Sequence, residues 1–154
     1  MTKRHRGTCF CGAIELEASG EPLEMGYCHC VSCRRYSGGP LSAFILWREA
    51  DVRISRGAAL VGHFNKTGMS DRHFCTRCGG HLMSHHPGLG LTDVRAGILP
   101  SLAFVPSVHL NYAETVLPLH DGLPKLKDFP EAAGGSGEPL PEQAGAIVHQ
   151  PGSI

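Results

Sequence analysis

The chain has 154 residues, no formal net charge at pH 7 and 42% hydrophobic residues, so it is long enough to bury one modest core. Its 14 basic residues balance its 14 acidic residues, which leaves no cationic excess to drive binding to nucleic acid or anionic membranes. No apolar run is long enough to cross a bilayer, and none follows the basic start of the chain as a secretion signal requires. We therefore expect a soluble, cytoplasmic protein that binds neither nucleic acid nor membranes.

The first motif is a closely spaced cysteine pair, Cys9 and Cys11, followed by a glycine. Gly12 permits a left-handed turn of the backbone after the second thiol. Two aliphatic residues then alternate with two glutamates up to Glu17, and this pattern predicts a half-exposed strand. The start of the chain thus reads as a knuckle that leads into a strand.

The densest motif follows, with Cys28, Cys30 and Cys33 in a C-x-C-x-x-C spacing and with Arg34 and Arg35 directly after them. This spacing lets three sulfurs converge on one ion from a single tight loop. A zinc site with three protein ligands keeps one position for water or substrate. The two guanidinium groups are suited to binding carboxylates, although a solvated surface pair is the alternative. A small acidic thiol would fit the whole constellation.

Beyond this motif the sequence predicts short strands and few helices, because turn residues recur and helical periodicity is rare among 20 glycines and 11 prolines. The predicted strands cover residues 41–47, 52–57, 60–64, 82–86, 93–99 and 109–112, with a hairpin tip at residues 66–68. Trp47 is assigned to the core, and His85 and His86 to an exposed strand end. A flexible Gly/Pro-rich tail is predicted for residues 131–154, after a zinc-binding β domain over residues 1–130.

A second cysteine pair, Cys75 and Cys78, complements Cys9 and Cys11. Four thiolates from two distant knuckles form a closed zinc site, which stabilises the fold because no coordination position stays open. Disulfides are the alternative, but an odd count of seven cysteines in closely spaced pairs favours metal chelation. The division of the cysteines into four and three predicts two zinc ions per chain.

The fourth ligand of the three-cysteine site stays open at this point. His29 lies inside the motif and is expected to point away from the ion, whereas His109 is expected to be a hydrogen-bonded histidine near the cleft. A histidine ligand would close the site and make it structural. Without one, three ligands hold the ion less tightly, and its occupancy is expected to be partial. The histidines that remain candidates for this role are His73, His81, His85, His86 and His109.

Three segments resemble the glutathione-dependent formaldehyde-activating (GFA), or centromere protein V-like, zinc family. They are residues 7–14 (GTCFCGAI), residues 28–39 (CHCVSCRRYSGG) and residues 74–80 (FCTRCGG). The Arg-Ala-Gly of residues 95–97 and the Asp-Gly-Leu-Pro of residues 121–124 are similar to later segments of that family. Seven thiols in the same order make the resemblance specific over about residues 5 to 130.

The resemblance implies a mostly β fold, in which small coiled β-sheets form a β-tent (Mss-like) single domain stapled by zinc. The implied activity is that of a carbon–sulfur lyase on S-hydroxymethylglutathione, the adduct of glutathione and formaldehyde. The catalytic centre would be an open zinc site that accepts the thiol of glutathione, and Arg34 and Arg35 would bind the substrate. The implied metal ligands are Cys9, Cys11, Cys75 and Cys78 for a structural zinc, and Cys28, Cys30 and Cys33 for the open zinc.

Two other functions stay open on the sequence. One is a non-catalytic zinc module with a protein partner, since relatives of this fold act as chaperones of small GTPases or as centromere components. The other is a carrier that binds a thiol or aldehyde without turnover. An open coordination position separates the enzyme and the carrier from the partner-binding module. Turnover faster than the spontaneous reaction separates the enzyme from the carrier.

Overall fold

A computed structural model describes residues 2–142, whose backbone falls into two compact units. The first unit consists of the described residues up to Glu24 together with Phe44–Phe104. The second consists of Met25–Ala43 together with the described residues from Val105 onward. Short strands predominate, which confirms the mostly β fold. The elements are β1 (Arg4–Thr8), β2 (Glu15–Ser19), β3 (Glu24–Cys28), α1 (Val31–Ser37), β4 (Ser42–Arg48), β5 (Val52–Arg56), β6 (Val61–Asn65), β7 (Asp71–Cys75), β8 (His81–His86), β9 (Leu91–Arg95) and β10 (Val108–Leu110), with short 3-10 turns between some of them.

In the first unit, β2 is the central strand of an antiparallel sheet and lies between β1 and β5. The prediction of a half-exposed strand is wrong here, because residues 16–18 are all buried. Glu17 is buried because its carboxylate is surrounded by guanidinium groups from both neighbouring strands. Arg53 Nη2 lies 2.9 Å from one carboxylate oxygen and Arg6 Nε lies 3.1 Å from the other. The hydrogen bond from Arg53 lowers the pKa of Glu17 despite its burial, so the carboxylate stays ionised.

The longer antiparallel ladder of the first unit runs in the order β4, β9, β8, β7, β6. Ile45, Trp47 and Val94 are fully buried along it, which confirms the assignment of Trp47 to the core. A bend between β6 and β7 covers the predicted hairpin tip, with Gly68 at a φ of 80°. Strand β7 ends at Cys75, so this ladder delivers the second cysteine pair at its end.

The second unit contains the parallel strand pair β3 and β10, in which Cys28 lies opposite Leu110. The seven-residue helix α1 follows, and this corrects the prediction that all three thiols lie in one loop. The helix begins where the Cys30 sulfur accepts a hydrogen bond from the backbone N–H of Cys33, 3.2 Å away, as an N-cap side chain does. It ends at Gly38, whose φ is 72°. Over the part of the chain that the structure describes, no helix is long and apolar enough to cross a membrane.

Part of the segment predicted as a flexible tail is held by hydrogen bonds. The backbone N–H of Ser136 donates to the Asp128 carboxylate at 2.9 Å, and that of Leu140 donates to the Lys125 carbonyl at 2.7 Å. Residues 143–154 lie outside the described residues. The division of the chain at residue 130 therefore stays a prediction.

Candidate metal centres

The two cysteine pairs of the first unit come together as one group. The sulfurs of Cys9, Cys11, Cys75 and Cys78 all lie within 4.8 Å of one another. Cys11 Sγ lies 3.6 Å from Cys9 Sγ and 4.0 Å from Cys75 Sγ. Four sulfurs bound tetrahedrally at 2.3 Å from zinc would be about 3.8 Å apart, so the spacing of this group fits the ion.

Both knuckles close with a backbone hydrogen bond from a glycine to the first cysteine, over three residues in the C-x-C knuckle and over four in the C-x-x-C knuckle. The N–H of Gly12 donates to the Cys9 carbonyl at 2.9 Å, and the N–H of Gly79 donates to the Cys75 carbonyl at 2.8 Å. Both glycines have a φ of 73°, a left-handed angle that glycine adopts without strain. The glycine after each second cysteine thus allows the chain to turn around the sulfurs.

The four sulfurs are too crowded to be thiolates together without a cation. Burial raises the pKa of the Cys9 thiol, but the backbone amide of Ile14 and the neighbouring thiols outweigh burial and lower it to about 6. At Cys11 the amide of Ala13 lowers the pKa, but burial and the other thiols outweigh the amide and raise it to about 11. A divalent cation would remove this competition, because a coordinated thiol is deprotonated.

The second cysteine group lies in the second unit, where Cys28, Cys30 and Cys33 have their sulfurs within 4.8 Å of one another. Cys28 ends β3, Cys30 caps α1, and Cys33 lies in the first turn of that helix. Among residues 2–142, no histidine or carboxylate joins the group as a fourth ligand. A tetrahedral ion held by these three sulfurs would therefore keep one position open to an added ligand.

Cys28 is the buried member of this group and has a polar partner that sequence reasoning missed. Hydrogen bonds with the Cys30 and Cys33 thiols, together with burial, raise the pKa of Cys28 well above its ordinary value. Asn111 Nδ2 donates to Cys28 Sγ at 3.4 Å and favours the thiolate. Asn111 has a φ of 52°, and it is the one residue other than glycine with a positive φ among those described. The only signal in the sequence is that asparagine tolerates this angle better than most residues.

His29 points away from the three sulfurs, as expected. Its Nε2 lies 2.9 Å from His109 Nδ1, and its Nδ1 lies 2.8 Å from Thr115 Oγ1. Burial, followed by the electrostatic interaction with His109, lowers the pKa of His29 to about 4, so the His29 ring is neutral at pH 7. His109 is hydrogen-bonded at its other nitrogen to Asp121, 2.8 Å away. The two rings thus hold the backbone between Cys28 and Cys30 in place.

A buried lysine completes this network. Lys125 Nζ lies 2.9 Å from Asp121 Oδ1 and 2.9 Å from Glu142 Oε1, and its side chain is 1% exposed. Burial lowers the pKa of Lys125, but the two carboxylates outweigh burial and raise it. Burial raises the pKa of Asp121, but Lys125 and His109 hold it far below its usual range. The network therefore pairs the buried ammonium group of Lys125 with two carboxylates, those of Asp121 and Glu142.

The structure separates the two arginines that follow the three cysteines. Arg34 Nε donates to the carbonyl of His29 at 3.0 Å, so this side chain holds the motif itself. Arg35 is exposed on α1, two residues after Cys33. Arg35 is accordingly the cation that is accessible to an added ligand on this helix.

A mostly β chain with one four-cysteine and one three-cysteine group has the features of a protein that holds metal ions through thiolates. Residues 4–114 match the family model described as glutathione-dependent formaldehyde-activating enzyme, and the chain belongs to this family. The family assignment made from the order of the seven cysteines is thus confirmed.

Two curated proteins with similar sequences carry names that fit this family. A putative glutathione-dependent formaldehyde-activating enzyme of Halomonas elongata is 32% identical over 87 residues, which cover 53% of this chain and 55% of that protein. An uncharacterized lyase of Schizosaccharomyces pombe is 32% identical over 75 residues, which cover 49% of this chain and 53% of that protein. The chain thus spans about half the length of the curated relatives it matches. A crystal structure of a Rhodobacter sphaeroides protein is similar at a TM-score of 0.54 and 27% identity, over 64% of this chain and 90% of that one.

Proposed function

We propose that the protein is a zinc-dependent enzyme of the carbon–sulfur lyase type that acts in the cytoplasm. Its substrate would be the adduct of an aldehyde with glutathione or a similar acidic thiol, such as S-hydroxymethylglutathione. The observation that carries this proposal is the group of three sulfurs that no fourth ligand among residues 2–142 completes. The names of the two relatives, a formaldehyde-activating enzyme and a lyase, support the reaction class.

The proposal assigns different roles to the two cysteine groups. The group of four would hold a structural zinc, because cysteines fill every tetrahedral position. The group of three would hold a second zinc, with weaker binding and partial occupancy. Zinc with an open position supplies one kind of chemistry, which is to bind an incoming thiol and favour its thiolate form at neutral pH.

The reaction itself asks little of the protein beyond positioning. In the forward direction the thiolate sulfur bonds to the aldehyde carbon, the carbonyl π electrons move to oxygen, and that oxygen takes up a proton. In the reverse direction the hydroxyl loses its proton, the carbonyl double bond re-forms, and the carbon–sulfur bond breaks with its electron pair leaving on sulfur as the thiolate. The chain would contribute by holding the thiol close to the aldehyde in a fixed orientation.

Three groups of the second unit would do this positioning. Asn111 orients Cys28 through its amide, and the His29–His109 pair fixes the backbone between Cys28 and Cys30. The exposed Arg35 would bind a carboxylate of the thiol, which selects acidic thiols over neutral ones.

The proposal is tested by zinc content and by the exchange rate between free and adduct-bound formaldehyde. Elemental analysis of the intact protein should give two zinc ions per chain, or one that rises to two with glutathione. Exchange NMR with labelled formaldehyde should show a rate above the spontaneous one. Cys33→Ser should retain one zinc and lose the acceleration, whereas Ser32→Ala, at the exposed neighbouring position, should retain both. Two zinc ions without acceleration would indicate a carrier and would overturn the enzymatic proposal.

A further inference from the structure

The antiparallel ladder of the first unit brings together a third set of metal-ligating side chains, which contains no cysteine. His63 on β6 lies directly opposite His73 on β7, and Asp71 precedes His73 by two residues on the same strand. Because side chains alternate along a strand, residues 71 and 73 share one face, and the directly opposed residue 63 shares it too. The register of this hairpin therefore sets two imidazoles and one carboxylate side by side.

The distances within this cluster match those of a metal site. Asp71 uses its two oxygens separately: Oδ1 lies 3.1 Å from His63 Nδ1, and Oδ2 lies 3.1 Å from His73 Nε2. All three ligand atoms lie within 4.8 Å of one another. Ligand atoms bound at about 2.1 Å to one ion are roughly 3.0–3.4 Å apart, so only a small rotation of the side chains is needed. His63 is 67% exposed and free to make that rotation, and it gives ions access from solvent.

The surroundings of the cluster hold one ligand firmly. The ring of His85 on β8 packs edge-on against that of His73, with centroids 4.5 Å apart. His85 is itself fixed by a hydrogen bond of 2.6 Å between its Nδ1 and Thr92 Oγ1. The pKa of Asp71 is raised by burial but lowered overall by hydrogen bonds from His73 and His63, so its carboxylate is an anion at pH 7. One side of the cluster is thus preorganised and the other is mobile enough to admit an ion.

The opposite face of the same ladder also carries a histidine next to an aspartate, but this pair does not form a metal site. There, His86 Nε2 lies 2.9 Å from Asp93 Oδ2, but Arg95 Nη1 lies 3.3 Å from the other oxygen of Asp93. A carboxylate paired with a guanidinium and a single imidazole is a salt-bridged pair, and it offers too few ligands for a cation. The two faces therefore carry the same residue types with different chemistry.

We propose that His63, Asp71 and His73 form a third metal site, which binds a divalent first-row transition ion. Two imidazoles and one carboxylate suit zinc, nickel, cobalt or copper and leave positions for water. This site is independent of both cysteine groups and of the proposed lyase activity. It differs from them in ligand hardness, since nitrogen and oxygen replace sulfur.

The test is calorimetric titration of the full-length, reduced protein, prepared so that it holds two zinc ions per chain in its cysteine groups, with Ni²⁺ as the probe at pH 7.5. We expect one Ni²⁺ per chain, with broadening of the imidazole NMR signals of His63 and His73 and with no release of zinc. His63→Ala and Asp71→Asn should each weaken Ni²⁺ binding by roughly 10- to 100-fold, the loss seen even for residues that only orient a ligand. Asp71→Asn is isosteric, so it keeps the hairpin intact.

The matched control is His86→Ala, which removes a histidine bonded to a carboxylate on the opposite face. The Ni²⁺ affinity of His86→Ala should stay within about twofold of the wild type, because His86 is not a ligand of the proposed site and only the loss of a ligand should weaken binding by about 10-fold or more. Absence of Ni²⁺ binding to the wild type, or equal affinities of the wild type and His63→Ala, would overturn the proposal. So would an equal loss in His86→Ala. Zinc content measured on each variant verifies that the cysteine groups stay filled.

Discussion

Asn111 offers the sharpest test of how the second unit prepares its three sulfurs. Its side-chain amide lies 3.4 Å from Cys28 Sγ, and its backbone is held at a φ of 52°. Substitution by alanine removes the amide and leaves a Cβ in the left-handed region, where alanine is less well tolerated than asparagine. Substitution by glycine removes the amide but relieves the backbone. The two variants therefore separate the hydrogen bond from the strain.

The expected magnitudes differ for the two variants. A hydrogen bond to a charged group contributes about 1.5–3 kcal/mol, and a factor of ten corresponds to about 1.4 kcal/mol. Asn111→Gly and Asn111→Ala should therefore both weaken zinc binding at the three-cysteine group by roughly 10- to 100-fold. Only Asn111→Ala should also lower Tm, because alanine bears the full left-handed cost of about 1–2 kcal/mol that asparagine partly avoids, and each kcal/mol lowers Tm by about 2–4 °C.

The assay is competition for zinc with a chromophoric chelator, together with thermal unfolding of the same samples. The first equivalent of zinc, held by four cysteines, serves as an internal control and should keep its affinity in both variants. If Asn111→Gly retains the second zinc with wild-type affinity, the amide does not stabilise the Cys28 thiolate. The role assigned to Asn111 would then be wrong.

Three further predictions concern the closed group, the accessible arginine and the buried lysine. Cys75→Ser should lose the structural zinc and unfold the first unit, because such an ion contributes about 10–16 kcal/mol to the free energy of folding. Cys33→Ser should leave Tm nearly unchanged. Equal Tm values for the two variants would contradict the structural role of the four-cysteine group. Arg35→Ala should raise KM for glutathione by about fivefold, the equivalent of about 1 kcal/mol in binding free energy. KM for neutral 2-mercaptoethanol should stay unchanged. An equal rise in KM for both thiols would refute a charge contact between Arg35 and glutathione. The depressed pKa of Asp121 contributes stability that is present above its unfolded pKa of about 3.9 and is lost as pH falls through the folded pKa. In urea unfolding, the stability difference between wild type and Lys125→Met should therefore narrow below about pH 4, and a constant difference would contradict the pairing.

Local sequence carried much of the information about the metal centres. Each knuckle encodes its own turn, because the second cysteine is followed by a glycine that can adopt a φ of 73°. The order and spacing of the cysteines therefore suffice to divide them into four and three. The core position of Trp47 and the bend near Gly68 were predictable for the same reason, since both follow from local pattern.

What the sequence could not provide depends on contacts between residues far apart in the chain. Glu17 alternates like an exposed residue, yet it is buried because β2 is a central strand with arginines on both neighbours. Asn111 reaches Cys28 across 83 positions, and the ring of His29 meets that of His109 across 80. These partners come from separate strands and loops that no periodicity connects.

The sequence by itself thus determined the mostly β class, the family and the grouping of the seven cysteines, because short-range spacing encodes knuckles and strands. Tertiary structure alone decided that His29 turns away from the sulfurs toward His109 and Thr115. It also decided that Arg34 donates a hydrogen bond to the His29 carbonyl while Arg35 stays exposed. The physical reason is that a side chain's direction and its partners depend on strand register and packing, which are fixed only when distant segments meet.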